Sequence, residues 1–450
     1  MNKMMRMGIL VFLLLSQPFF TLPIEGQTTG NPEENRNDDQ RRDILRYGID
    51  SEVISLLKDL EDDEDIDDFT EEIMDLLVNS RNQELKAAAV RIFSSVEYRP
   101  ALEQVEKILL DYPDKEELII AGIEYFIELD HREGVEILKD FTSSQQTAVA
   151  MKAVEGIGRL GDPGDIQFLR DLYDDTSLGQ NVRASALSAL GMLKDSESIP
   201  FLEEIVTDAS QERSYRWRAC QALGEIGTPE VLPVLADLLN DDDTILRTYA
   251  VRALTTFESG EVLDYLMEAL RDSFWRVRLA AVETLGERKE KDAIDILVYK
   301  ATRDPEERIR IAAIQALGKI GGRSYRSLRD LAGNQRYSQA SRIVALQELV
   351  KNDLGNSFGL IDTILEKEEK QPGSRIFIEL VKAMSQEENP RLADYFERFL
   401  THGDVSVVLM ALKGIGENRF SGLRAKVQTL SESNTSSSIK KAAEEALEKL

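Results

Sequence analysis

Small and large apolar residues recur along the chain at intervals of about 32 residues, from Lys86 to the C-terminus. The string "VRASALSALG", which runs from Val182 to Gly191, aligns with "RLAAVETLGE", "RIAAIQALGK" and "RIVALQELVK" further along. Each aligned string carries a small residue and, four positions later, a large apolar one. Residues four apart share one face of a helix, so the pattern predicts a buried helical face in every unit.

Two columns define these predicted helices. The small column consists of Ala89, Gly122, Ala153, Ala186, Ala219, Ala250, Ala281, Ala313, Ala345, Leu380, Ala411 and Ala443. The large column consists of Phe93, Phe126, Ile157, Leu190, Leu223, Leu254, Leu285, Leu317, Leu349, Met384, Ile415 and Leu447. Small residues let neighbouring helices approach closely, and large ones fill the space between them.

Polar residues and glycines recur at the predicted helix ends of the units. Residue types that cap helix N-termini stand at Ser80, Ser144, Ser177, Ser210, Asp241, Asp272, Asp304 and Asn434. Glycines that suit left-handed C-caps stand at Gly158, Gly191, Gly224, Gly286, Gly318 and Gly416. A second helix follows, as in Thr228 to Asp241, so each unit is predicted to be a helical hairpin.

Strings such as "WRACQALGEIG" and "IRIAAIQALGKIGG" resemble the HEAT repeat, and within it the short HEAT-like repeats of phycobilisome lyases. The resemblance covers roughly residues 80–450. It implies an all-α fold, a right-handed α-solenoid of about twelve HEAT-like helical hairpins with an irregular N-terminal helical cap. The motif consists of packing and capping residues, so it implies a binding surface rather than a particular activity.

The N-terminus has the pattern of a targeting segment. Lys3 and Arg6 precede a short apolar run from Gly8 to Leu15, which predicts a cleavable secretory signal peptide. An uncleaved N-terminal anchor is the alternative, because apolar residues continue to Ile24. The predicted domains are a signal peptide at 1–26, a disordered polar linker at 27–40, a helical cap at 41–79 and the repeat solenoid at 80–450. A glycine-containing segment, residues 352–359, predicts a loosened turn and a candidate hinge.

Composition narrows the class of partner. The chain has 55 Lys and Arg residues against 82 Asp and Glu residues, a net charge of −27. Nucleic acids are polyanions that require clustered basic residues, so the chain is predicted to bind none. The charge favours basic partners or cations. An exported chain with a single cysteine suits the bacterial periplasm or cell surface, with no membrane span after signal cleavage.

Catalytic chemistry has little support in the sequence. The single cysteine, Cys220, falls in an apolar column and is predicted to be buried. The two histidines, His131 and His402, have no ligand or triad motif around them. The glycines of Gly156–Gly161 match a dinucleotide-binding string, but they follow a helix instead of a strand. We therefore predict a protein that is not an enzyme, with no catalytic residues, metal or cofactor.

A basic column recurs at the repeat spacing. Its six consecutive arginines are Arg183, Arg216, Arg247, Arg278, Arg310 and Arg342. We interpret them as a structural ladder, in which each arginine donates to a carboxylate of the neighbouring unit or to helix-end carbonyls. An anion-binding stripe is the alternative.

Two adjacent aromatic residues interrupt columns that are polar in most other units. Phe274 and Trp275, followed by Arg276, are the candidate partner-binding residues, although they could instead fold over the neighbouring turn. Trp217 lies in a mostly apolar column and is predicted to be core. The sequence thus favours an exported, non-catalytic, protein-binding scaffold of unknown partner and oligomeric state. An enzyme or enzyme accessory of the HEAT-like lyase type, or a self-associating envelope spacer, is the alternative.

Overall fold

The computed structural model describes residues 32–61, 66–257, 260–371, 373–433 and 436–450, and within these residues every regular element is a helix. The α-helices are α1 (Pro32–Tyr47), α2 (Asp50–Leu60), α3 (Thr70–Asn79), α4 (Gln83–Ser95), α5 (Leu102–Asp111), α6 (Glu116–Glu128), α7 (Val135–Phe141), α8 (Thr147–Leu160), α9 (Ile166–Asp174), α10 (Gln180–Met192), α11 (Ile199–Thr207), α12 (Arg213–Ile226), α13 (Leu232–Leu238), α14 (Thr244–Ala253), α15 (Glu261–Ala269), α16 (Trp275–Glu287), α17 (Ile294–Arg303), α18 (Glu307–Ile320), α19 (Ser324–Gly333), α20 (Gln339–Glu368), α21 (Arg375–Met384), α22 (Leu392–Phe399), α23 (Val405–Glu417), α24 (Arg424–Ser433) and α25 (Ser437–Lys449). Short 3-10 helices span Ile66–Phe69, Arg99–Ala101, Arg132–Gly134, Pro163–Asp165, Ser196–Ser198, Pro229–Val231, Leu254–Thr256, Lys291–Ala293 and Ser421–Leu423.

The N-terminal prediction lies only partly within these residues. The predicted signal peptide, 1–26, and the first five residues of the predicted linker lie outside the described residues. The rest of the linker is helical, because α1 begins at Pro32 where the sequence predicted disorder up to residue 40. Proline is favoured in the first turn of a helix, and no glycine or second proline interrupts residues 33–40.

The chain divides into two compact units, which meet in sequence between Lys107 and Ile108. In the first unit, α1 and α3 are joined by the buried Glu72, whose Oε1 accepts from Arg42 at 3.1 Å and from Arg46 at 2.7 Å. Ion pairs and hydrogen bonds of this kind satisfy a carboxylate that burial would otherwise destabilise. The apolar core beneath them includes Leu57, Leu60, Phe69, Ile73 and Leu77.

The predicted repeat columns are confirmed as the core of a helical array. The twelve small-column residues fall in twelve different helices, α4, α6, α8, α10, α12, α14, α16, α18, α20, α21, α23 and α25, and all are buried. Every large-column residue is buried as well, except the half-buried Leu447. We call these twelve the inner helices of their hairpins. In the second unit, each inner helix from α6 to α23 packs against the inner helix of the next repeat, and each from α8 to α20 also packs against the shorter helix that precedes it.

The glycine column does not form the predicted C-caps. Gly158, Gly191, Gly224, Gly286 and Gly318 lie inside their helices at negative φ. A Cβ built on Gly191 would lie 2.6 Å from the Cα of Ala222 in the next inner helix, and one built on Gly224 would lie 2.5 Å from the Cβ of Ala253. The glycines therefore exist because two helix backbones approach too closely for any side chain.

Residues with left-handed backbone conformation do follow the inner helices, but they stand three positions after the glycine column. They are Glu97, Asp130, Lys194, Gly227, Lys289, Gly321 and Arg419, with φ between 48° and 72°. Five of the seven are not glycine, so the residue type gave no signal for the turn. Asparagine or glycine would hold the same conformation at lower cost.

The N-cap residues of the inner helices also differ from the predicted ones, because they lie two residues after the predicted N-cap column. The capping residues are Asn82 in α4 and Asp243 in α14, whereas the column residues Ser80 and Asp241 accept the backbone N–H of those caps. Serine and aspartate suit both positions because their short side chains reach a backbone N–H two residues on. The column thus begins the turn that leads into each inner helix.

Residues 352–359 do not form the predicted loosened turn. They continue α20, a 30-residue helix whose only non-helical residue is Asp353, at φ −144° and ψ 34°. Asp353 accepts from Arg329 of α19, and its Oδ1 accepts from Asn356 Nδ2 at 2.7 Å. These contacts fix a kink at Asp353 that joins two helical segments of α20, where a hairpin turn stands in other units.

Candidate functional site

The arginine column forms an alternating ladder with the aspartates that precede the inner helices. Arg216 donates to Asp241 Oδ2 at 2.6 Å. Arg247 donates to both carboxylate oxygens of Asp272, at 2.8 and 3.0 Å. These pairs cross from one repeat to the next, so each links two hairpins. Bidentate guanidinium–carboxylate pairs combine charge with fixed geometry.

The pairing repeats one unit further along. Arg278 donates to both oxygens of Asp304 at 3.1 Å, and the Nζ of Lys300 lies 3.2 Å from the same carboxylate. Backbone carbonyls complete the ladder, because Arg247 donates to Asp241 O at 2.7 Å and Arg278 to Asp272 O at 2.9 Å.

The other three arginines of the column also donate to main-chain carbonyls. Arg183 Nε donates to Tyr173 O at 2.6 Å, Arg310 to Asp304 O at 2.8 Å and Arg342 Nε to Ala332 O at 3.0 Å. The guanidinium of Arg183 also lies against the rings of Tyr173 and Tyr215, 5.3 and 5.1 Å from their centroids. All six thus direct N–H groups into the protein, which is the geometry of the structural ladder.

The ladder holds the backbone that carries the aromatic candidates. Asp272, clamped by Arg247, accepts the backbone N–H of Phe274 at 2.6 Å. Arg278 donates to the carbonyl oxygen of Ser273 at 3.1 Å. Phe274 and Trp275 therefore project from a segment fixed on both sides, as a preorganised binding surface requires.

Trp275 is half-buried and lies against two guanidinium groups. The Cζ atoms of Arg276 and of Arg308, the second residue of the next inner helix, lie 5.2 and 5.1 Å from its ring centroid. Phe274 is half-buried beside it, with ring centroids 6.3 Å apart. Among the described residues no carboxylate pairs with Arg276 or Arg308, and both are exposed. We name Phe274, Trp275, Arg276 and Arg308 the Trp275 patch.

A shallow groove of about 560 Å³ adjoins the patch at Arg308. Its apolar lining includes Leu279, Ile311 and Ala312, and its charged lining includes Glu283 and Glu306. The surface around Trp275 therefore combines apolar contact area with charges of both signs.

Phe274 stands in the N-cap position of α16, where it cannot cap. Its backbone has the extended N-cap conformation, φ −87° and ψ 122°, but it makes no side-chain hydrogen bond to the helix. In the same position Asp243 accepts from Ile245 N at 2.8 Å and Asp404 accepts from Ser406 N at 2.8 Å. An aromatic ring here forgoes stabilisation of about 1 kcal/mol that a side-chain cap gives to helices such as α14 and α23.

Replacing Phe274 by asparagine should therefore stabilise the protein, by about 0.5–2 kcal/mol, because the amide oxygen can accept the free N–H groups of α16. Phe274→Ala is the matched control, since it removes the ring without adding a cap. Urea denaturation followed by tryptophan fluorescence compares the three proteins. An asparagine variant no more stable than the alanine variant would show that Phe274 contributes packing that outweighs the missing cap.

Trp217 departs from the prediction that it belongs to the core. It is half-buried, its ring stacks on Tyr249 at 6.2 Å, and its indole N–H donates to Asp243 Oδ2 at 2.9 Å. Its indole N–H is thereby satisfied within the protein.

The sequence did not single out Arg308, which joins the Trp275 patch from the next repeat. The available signal was its position 33 residues after Trp275, which is about one repeat length.

The cysteine and both histidines lie against apolar or aromatic neighbours, with Cys220 and His131 buried and His402 half-buried. Cys220 is fully buried, and burial raises the pKa of its thiol far above the usual range. His131 is buried against Phe126, and His402 stacks on Phe377. No group of three or more His, Cys, Asp or Glu side chains positioned to hold a metal ion occurs in the described parts of the chain. Nor is any helix there sufficiently long and apolar to cross a membrane.

A stack of helical hairpins with small-residue inner columns and an arginine–aspartate ladder defines a HEAT-type α-solenoid. The chain belongs to the Spirochaete HEAT repeat protein family, whose model matches residues 45–446. No curated protein matches the chain.

Solved structures show a likeness of fold at low identity. Human deoxyhypusine hydroxylase in complex with glycerol is 20% identical, with 56% of this chain and 96% of that chain covered and a TM-score of 0.26. The CpcE–CpcF complex of phycocyanin lyase from a Nostoc species is 19% identical, with 51% and 94% covered and a TM-score of 0.33. Kap95p, in a structure with RanGDP, is 13% identical, with 92% and 66% covered and a TM-score of 0.48.

Proposed function

We propose that the protein is a non-catalytic scaffold that binds a partner protein through the Trp275 patch. The observation that carries this proposal is the placement of an aromatic residue, Phe274, at an N-cap position that is polar or glycine in the other inner helices, beside a half-exposed tryptophan. A position that forgoes local stability for surface aromatic area is typical of a binding site. Tryptophan and arginine are the residue types enriched where binding energy concentrates.

The guanidinium groups of Arg276 and Arg308 also favour a binding role for the Trp275 patch. Arg276 and Arg308 lie on Trp275 instead of on a carboxylate, so their N–H groups remain available to a partner. Stacking on the ring limits the motion of both side chains, which lowers the entropy lost on binding. The ladder beneath keeps the patch in place without using these two arginines.

The burial of Cys220 and His131 supports the non-catalytic part of the proposal, because a nucleophile or general base must reach its substrate. The predicted signal peptide supports export to the periplasm or cell surface. Cell fractionation with N-terminal sequencing tests the location: a mature chain that begins near residue 27 in the envelope fraction is expected, and an intact cytoplasmic chain would contradict export.

Affinity capture from the native cell envelope tests the binding function. The baits are the wild-type protein, a Phe274→Ser, Trp275→Ser double variant, and Tyr299→Ser as a matched control. Tyr299 is 57% exposed on α17, outside the patch, so its replacement removes a comparable aromatic surface elsewhere. We expect a partner captured by the wild type and the control but lost by the double variant. Equal capture by all three baits would place the binding site elsewhere, and the absence of any captured protein would contradict the scaffold.

A further inference from the structure

Leu110 is the most exposed large aliphatic residue of the second unit. It lies at the end of α5, where Ile108 and Leu109 form the buried face, and 62% of its surface is exposed. A residue directly after two buried ones falls off the apolar face of its helix. A leucine there contributes nothing to the core, so its apolar surface is available for contact.

Leu110 also lines an open groove of about 560 Å³ between the ends of α5 and α7. The other apolar lining comes from Leu109, Pro113, Ile137 and Phe141. A groove of this size accommodates a few side chains, and apolar lining with a polar rim is the usual composition of a binding site. It shares no residue with the Trp275 patch.

The polar rim of this groove carries negative charge only. Asp114 and Asp140 line it together with hydroxyl and amide side chains, and neither lysine nor arginine is among its lining residues. Asp114 is paired with Lys115 at 3.0 Å, whereas the exposed Asp140 forms an ion pair with no residue in the described parts of the chain. The net charge of −27 adds a long-range potential of the same sign.

We propose that this groove, the Leu110 groove, binds a basic, apolar segment of a partner protein. One or two apolar side chains would cover Leu110, Pro113 and Ile137, and a neighbouring lysine or arginine would meet Asp140. Acidic segments are repelled by the rim, and an anionic lipid surface is disfavoured for the same reason. Binding at the Leu110 groove does not depend on the function proposed for the Trp275 patch, because a partner could bind either surface alone.

A dye at the rim of the groove measures this binding directly. Ser143 is exposed in the rim, so a Ser143→Cys variant can be labelled with an environment-sensitive fluorophore, while the buried native Cys220 remains unlabelled. The probes are a synthetic amphipathic peptide of leucine and lysine and a matched peptide of leucine and glutamate. Calorimetry with the unlabelled protein shows whether the dye itself contributes.

We expect saturable binding of the leucine–lysine peptide, weakened about tenfold by Leu110→Ser, the loss of one buried leucine contact. Asp140→Asn should weaken binding several-fold at low salt and less at high salt, because the contact at the rim is screened. Tyr299→Ser should leave the affinity unchanged. Equal affinity in the Leu110→Ser variant would show that the peptide binds the acidic surface generally and would overturn the proposal. Equal binding of the leucine–glutamate peptide would do the same.

Discussion

Replacement of Asp304 by alanine should lower the free energy of unfolding by about 3–5 kcal/mol, the cost of leaving buried charges without their partner. The carboxylate of Asp304 is 1% exposed, and the two cations it binds, Arg278 and Lys300, are each 10% exposed. The substitution therefore strands two buried cations at the junction of two repeats. Urea denaturation followed by tryptophan fluorescence, supported by hydrogen exchange of α16–α18, measures the loss.

The exposed pair of Glu417 and Lys449 provides the matched control. It also joins two successive repeats, at 2.7 Å, but its side chains are 46% and 53% exposed. Water screens such a pair, so Glu417→Ala should leave the free energy of unfolding nearly unchanged. If Asp304→Ala were no more destabilising than Glu417→Ala, the ladder would not be a source of stability.

Acid should weaken the same junction. Burial alone would raise the pKa of Asp304, but the hydrogen bonds from Arg278, Glu306 N and Lys300 outweigh it and hold the pKa below the usual 3.8. A depressed carboxyl pKa contributes stability that is present above the unfolded value and is lost as the pH falls through the folded value. The stability difference between the wild type and Asp304→Asn should therefore shrink as the pH falls below 3.8.

The repeat architecture was predictable because its signal is burial, which repeats with the helix. Ala281 and Leu285, for instance, have the spacing of one helical face, and both are completely buried. The turns were less predictable. Lys194 and Lys289 adopt left-handed φ values of 54° and 55° because the chain must reverse there, not because lysine favours them.

The candidate site was predictable in its aromatic part only. Phe274 and Trp275 stand out because their columns are otherwise mostly polar. The second guanidinium on Trp275 comes from Arg308, whose contribution depends on how two inner helices lie side by side. Leu110 could not be singled out from the sequence. It is an apolar residue off the buried face of a short helix, and single exposed leucines are common on protein surfaces.

Because the inner helices approach closely, glycine-to-alanine substitutions at two positions should change the free energy of unfolding in opposite directions. Gly191→Ala should destabilise the protein by about 1–3 kcal/mol, because the new Cβ would lie 2.6 Å from the Cα of Ala222 and force two helices apart. Gly359→Ala, inside α20, should instead stabilise it by about 0.5–1 kcal/mol, because its Cβ meets nothing within 4 Å and the unfolded chain loses freedom.

Both effects follow from the same chemical change, so helix propensity alone predicts the same sign for both. Thermal and urea denaturation of the two variants against the wild type measures the difference, and hydrogen exchange locates it at α10–α12 or α20. Destabilisation at both positions would point to a strained backbone in α20 near the Asp353 kink. Stabilisation at both would mean that α10 and α12 can separate by a few tenths of an ångström without loss, and the glycine column would then have no packing role.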